Sequence, residues 1–149
     1  PPEKDAGRPA LVRCGNIFHF SFPVFKGYFN DAVVAYKTLV KNCLETAYPE
    51  PLVQHKNIPS FAQVTVTEQK NRRMIHILSY IPELRGKTQI IEEPVVLKNI
   101  SLGLRTDGKK VGKVYLAPSG EELGFKVEKN YIWITLSEVN GYQMVVFEM

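Results

Sequence analysis

Cysteine is almost missing from this sequence. The two that occur, Cys14 and Cys43, are too few and too far apart for a redox CxxC pair or a zinc site. A disulfide between them stays open at this level, with two reduced, buried thiols as the simpler expectation. Histidine is scarce too: His19, His55 and His76 stand far apart, without HxxxH or HExxH spacing, so a metal centre has no support. A G-x-S-x-G nucleophile elbow is lacking, which removes the usual serine hydrolase arrangement. Phosphate-cradling glycine loops are lacking as well, since Gly103, Gly108, Gly112 and Gly120 fall in or beside expected hairpins. No cofactor is expected. Apolar runs never approach the roughly 18 residues of a membrane span, so no membrane partner is expected. The opening PPEKDAGRPA has neither an initiator Met nor an apolar segment behind a basic start. It is no signal peptide. Residues 1–10 are expected to be unstructured, and the chain to be a piece of a longer protein.

Charge is not concentrated. The 19 basic and 15 acidic residues leave a net charge of +4. Small basic knots at Lys70, Arg72, Arg73 and at Lys109, Lys110, Lys113 coincide with expected turns and read as solvated turns. A nucleic-acid partner would need that charge gathered on one face.

What the sequence does have is a change of period. Leu11 to Phe22 is one aromatic, strand-like run. Then "NDAVVAYKTLVKNCLETAYP" puts Val33, Tyr36, Val40, Cys43, Leu44 and Ala47 at helical spacing, with Asn30 or Asp31 as N-cap and Pro49 and Pro51 as the stop. "YPEPLVQHKNIPS" reads as a linker. Beyond residue 58 the period becomes two. Val64 and Val66 alternate with Thr65 and Thr67, Ile100, Leu102 and Leu104 share a face, and Asp107-Gly108 marks a turn. The expectation is a mainly β fold: a small antiparallel β-sandwich of seven or eight strands, preceded by one strand and one α-helix. Its domains would be 1–58, the tail of an upstream unit with a linker, and 59–149, the sandwich.

Two sets of residues are candidate sites. In YIWITL, Ile132, Ile134 and Leu136 alternate with Tyr131, Trp133 and Thr135. If the aliphatic set faces the core, Tyr131 and Trp133 are left outside as a candidate sugar-stacking pair, with carbohydrate as the partner. Tyr115 and Tyr142 belong to the same aromatic inventory. In GNIFHFSFPVFKGYF, Phe18, Phe20 and Phe22 alternate with His19 and Ser21 and form a candidate interface, with homo-oligomerisation as its consequence. Glu92-Glu93 is a paired carboxylate, but neighbours in an extended segment point to opposite faces and cannot converge on one glycosidic bond. His76, beside Met74 and Leu78, reads as a hydrogen-bonded core histidine. No catalytic residue is assigned.

The run RRMIHILSYIPELRGKTQIIEEPVVLKNISLGLR, with VYLAPSGEEL and VNGYQMVVFEM after it, resembles the C-terminal region of glycoside hydrolases of the family 42 β-galactosidase type. The matching features are the strand Ile75, His76, Ile77, Leu78, Ser79, Tyr80, the acidic IEE stretch and the closing strand. Ser79 stands where the motif has Asn. The resemblance implies the end of an amidotransferase-like trimerisation domain followed by a C-terminal β-sandwich, non-catalytic by itself, whose partner is the upstream catalytic domain. The alternative is a carbohydrate-binding β-sandwich module.

Overall fold

The computed structural model describes residues 7–149. The expectation for residues 1–10 therefore lies, for its first six positions, outside the described residues. The chain separates into one unit ending at Pro51 and a second running Leu52–Met149.

In the first unit the aromatic run is a hairpin and not one strand. Strand β1 (Leu11–Cys14) pairs antiparallel with β2 (Ile17–Phe20). Gly15, at φ +59°, is the first of two turn residues, a position that glycine fills without a Cβ clash. Two helices follow where one was expected, α1 (Val24–Asp31) and α2 (Val34–Ala47). Asn30 and Asp31 therefore end α1 instead of capping α2, and α2 has no side-chain cap. The break is at Ala32, which turns left-handed (φ 51°) and donates its N–H to Tyr28 O. Alanine gives no sequence signal for that conformation, which is ordinarily glycine's.

The second unit is the sandwich, and the mainly β, antiparallel fold class holds. Its strands in chain order are β3 (Val53–Lys56), β4 (Gln63–Gln69), β5 (Arg72–Leu78), β6 (Glu83–Arg85), β7 (Thr88–Ile90), β8 (Val96–Arg105), β9 (Lys113–Ala117), β10 (Lys126–Glu128), β11 (Tyr131–Asn140) and β12 (Tyr142–Glu148). One four-stranded sheet runs β10-β11-β8-β3 and the other β4-β5-β12-β9, while β6 and β7 form a separate small hairpin. The inward sets of β8 (Ile100, Leu102 and Leu104) and β11 (Ile132, Ile134 and Leu136) are those the period of two predicts, and Val145 and Phe147 of β12 join them. On β5 the face turned inward is that of Ile75 and Ile77, opposite the one expected from His76. The turn at Asn140-Gly141 carries the chain from one sheet to the other, with Gly141 at φ +75° against the hydroxyl end of Tyr80.

Two readings of the linker and its neighbours change. Val53–Lys56, inside the expected linker, pairs with β8, Val53 against Leu104 and His55 against Leu102. The sandwich thus begins at Leu52 and not at residue 59. The prolines at 49, 51 and 59 flank this strand without entering it, which proline permits at a sheet edge. Arg73, expected in a solvated turn, is buried at 7% exposure. It donates to Glu68 (3.2 Å), to Asp107 (2.8 Å) and to the Arg105 carbonyl (2.9 Å). One guanidinium thus joins the β4–β5 hairpin of one sheet to the end of β8 in the other.

Ser79, fully buried, explains its own place in the motif. Its N–H donates to Gly141 O at 2.7 Å, its carbonyl accepts from Val95 N at 2.9 Å, and its hydroxyl donates to the Val95 carbonyl. A small hydroxyl satisfies this crowded junction of β5, β8 and the β11–β12 turn.

Candidate functional site

The outer face of the β10-β11-β8-β3 sheet is built by register. Trp133 stands opposite Gly103 on β8 and opposite Lys126 on β10, and Gly103 stands opposite Gln54 on β3. One step along, Thr135 faces Ser101, and Ser101 faces Lys56. Lys56, Ser101, Lys126, Glu128, Trp133 and Thr135 line a cavity of about 450 Å³ on this face. The Lys56 ammonium is 5.4 Å from the Trp133 ring centroid, within cation–π range.

The two candidate stacking residues fare differently. Trp133 is half-buried and lines the cavity. Tyr131 is only 6% exposed, its ring tilted 40° from that of Trp133 at 6.3 Å, so it offers no open face. Alternation gave both side chains their correct outward direction but carried no information about what covers them. Gly103, expected at a hairpin, is instead in mid-strand beneath Trp133. A Cβ there would come within 2.8, 2.9 and 3.0 Å of three ring atoms.

Phe18, Phe20 and Phe22 are half-buried within the first unit. Phe20 meets Phe22 edge-on at 5.9 Å, and Phe22 meets Tyr36 of α2 at 5.2 Å. The more open apolar side chains of that unit are Ile17 on the hairpin and Phe25 (71% exposed), Phe29 (88%), Val34 and Leu44 on the helices. Phe25 and Leu44 line a groove of about 440 Å³ with Val24, Tyr28, Tyr36 and Val40.

His76 is outside the core. Ile75 and Ile77 point inward, which leaves His76 on the outer face of the second sheet, with Nε2 2.9 Å from Thr67 Oγ1 and Nδ1 2.8 Å from Tyr142 Oη. A neutral imidazole donates from one nitrogen and accepts at the other, and two hydroxyls can satisfy either tautomer. Glu92 and Glu93 are both exposed, Glu92 accepting from Arg85 at 3.0 Å. Cys14 is exposed and Cys43 buried, both as free thiols, so the expectation of two buried ones holds for Cys43 alone. Among the described residues no three His, Cys, Asp or Glu side chains cluster to hold a metal, and no helix is long and apolar enough to cross a membrane.

Four groups are shifted, three by charge partners and one by burial. Glu68 is held below its ordinary 4.5 by hydrogen bonds from Lys109 and then Arg73, and Asp107 below 3.8 by Arg105 and then Arg73. Desolvation lowers His55 from 6.5, and a hydrogen bond to Glu122 raises Lys113 from 10.5. The two carboxylates stabilise the fold above their unfolded values and lose that contribution as pH falls through the folded ones. His55 is favoured neutral, so acid below 6.5 also works against folding. Lys113 contributes below 10.5 and loses its contribution as pH rises through the raised value. Thermal melting is expected to be flat from about pH 7 to about pH 10 and to decline on both sides. His55→Gln should remove the first acidic step. A melting temperature that rises between pH 7 and pH 5 would contradict these signs.

No protein-family model matches the chain, and no curated protein sequence matches it. Among solved structures it is similar to α-L-fucosidase isoenzyme 2 from Paenibacillus thiaminolyticus, with a TM-score of 0.90 and 26% identity. The match covers 99% of this chain and 23% of that one, so the chain spans about a quarter of that enzyme's length. A cycloisomaltooligosaccharide glucanotransferase of Paenibacillus sp. matches at a TM-score of 0.45 and 16% identity, over 70% of this chain and 19% of that one. The chain therefore has the fold of a glycoside hydrolase-related domain, without singling out the family 42 type.

Proposed function

We propose that the chain is a non-catalytic accessory module of a glycoside hydrolase. The observation that carries this reading is the likeness, at a TM-score of 0.90 over 99% of the chain, to less than a quarter of an α-L-fucosidase. The side chains favour it as well: the paired Glu92 and Glu93 lie on an exposed connection, with Glu92 engaged by Arg85. Two converging carboxylates set roughly 5–9 Å apart across a bond are the ordinary requirement for glycoside hydrolysis. Phe25, Phe29 and Leu44 supply the apolar surface through which such a module would hold an upstream domain or a second copy. On this reading the candidate interface at Phe18, Phe20 and Phe22 extends over α1 and α2. For the parent, the sequence motifs favour a β-galactosidase-like enzyme and the structural likeness a fucosidase.

Assayed alone, the chain is expected to turn over neither p-nitrophenyl β-galactoside nor p-nitrophenyl α-L-fucoside. The longer protein that contains it should hydrolyse one of them. Turnover by the isolated chain that vanishes in Glu92→Gln or Glu93→Gln would overturn the reading.

A further inference from the structure

We infer that the outer face of the β10-β11-β8-β3 sheet holds a saccharide-binding subsite, with Trp133 as its stacking platform and Lys56, Lys126, Glu128 and Ser101 as its polar contacts. The inference goes beyond the accessory role and stands whether or not the parent is a glycosidase. It begins with Gly103. A residue in the middle of a ten-residue strand gains nothing from glycine's freedom, and glycine there weakens the strand. What it provides is room. The three ring atoms of Trp133 nearest the missing Cβ are almost equidistant from it, at 2.8, 2.9 and 3.0 Å, so the indole rests by its face on the Gly103 backbone. One face of the ring is fixed against the sheet and the ring is only half-buried, which makes it a rigid, part-open aromatic plate. Any other residue at position 103 would lift it.

The polar groups around the plate have hydrogen-bonding capacity to spare. Among the described residues, Lys126, Glu128 and Ser101 make no side-chain hydrogen bond or ion pair, and Lys56 meets only the Trp133 ring. Other charged side chains of the sandwich are paired with one another, such as Arg73 and Lys109 with Glu68, Lys113 with Glu122, and Arg85 with Glu83 and Glu92. Here two ammoniums, a carboxylate and a hydroxyl surround an aromatic plate in a cavity of about 450 Å³, and of these Lys56 alone is engaged, with the ring itself. Pyranosides need both halves of that arrangement. Their C–H face packs on an aromatic ring, while their ring of hydroxyls takes donors from lysine and serine and an acceptor from glutamate. Two ammoniums against one carboxylate leave the site positive, which favours a sugar that carries a carboxylate over its neutral counterpart.

Trp133 is the chain's single tryptophan, so its fluorescence reports this site directly. The whole chain would be titrated with galactobiose and digalacturonate, with far-UV circular dichroism to check folding. A saturable change is expected, with a dissociation constant on the order of 1 mM, tighter for digalacturonate. Gly103→Ala should weaken binding by roughly tenfold, as expected when an aromatic contact is lost. Calorimetry on Trp133→Ala should show no binding. If Gly103→Ala fails to fold, Lys126→Ala, a change at an exposed position, keeps the test open and should reduce the preference for digalacturonate. No saturable response to either sugar would overturn the inference, and so would equal calorimetric affinities for the chain and for Trp133→Ala. Because these readouts involve no hydrolysis, their failure leaves the accessory reading standing, and glycosidase turnover by the chain would leave this one standing.

Discussion

Replacing Arg73 by alanine is expected to cost the sandwich roughly 2–3 kcal/mol, the range for hydrogen bonds to charged groups when the buried partner is removed. Surface ion pairs commonly contribute little. Arg73 differs because its own side chain is buried while its acceptors, Glu68 and Asp107, reach it from strand β4 and from the turn after β8. A third bond, to the Arg105 carbonyl at 2.9 Å, satisfies backbone at the end of β8 that alanine would leave to water. The loss should lower the melting temperature by about 10 °C in a domain of this size. Lysine should not rescue it, since one ammonium cannot reproduce a planar fork that serves three acceptors. If Arg73→Ala and Arg73→Lys both melt within about 2 °C of the parent chain, the network is decoration and the two sheets are held by the apolar core alone.

Arg73 also shows where reading the sequence stops. A basic residue two places after a turn looks solvated, because the sequence does not show that the β8–β9 turn, more than 30 residues on, delivers Asp107 to it. The period of two was informative wherever one face is buried: it placed Ile132, Ile134 and Leu136 inside and Trp133 outside. On β5 it separated the two faces of the strand correctly but not which one meets the other sheet, because Met74 and Leu78 beside His76 are as apolar as many core residues. The four residues of β3 were invisible for a local reason. Three prolines nearby outweigh a Val-Gln-His-Lys segment whose only strand evidence is its partner, β8. Gly103 is the subtlest miss: an isolated glycine in a strand pattern signals close approach of something, and the sequence alone does not name Trp133 as that thing.

The boundary at Leu52 leads to the other large effect. A chain of residues 52–149 is expected to unfold cooperatively, and one of residues 59–149, the limits that the sequence suggests, to be far weaker. Dropping residues 52–58 removes β3 and strips β8 of its outer neighbour along Leu102 and Leu104. Leu52, Val53 and Ile58, partly buried against the core, go with it. A fully buried side chain of this kind is worth roughly 1.5–3 kcal/mol, so three half-buried ones amount to about 3–4 kcal/mol. Against a typical domain stability of roughly 5–15 kcal/mol, that is a large fraction. The amide of Arg105 also loses its 2.9 Å bond to the Leu52 carbonyl. Worse, β8 becomes an open edge whose unpaired groups can recruit another chain. Urea melts of the two fragments should therefore differ widely in midpoint, and light scattering should find the shorter one associating. Fragments with equal midpoints, both monomeric, would mean that β3 merely lies along the sheet and that the sandwich closes without it.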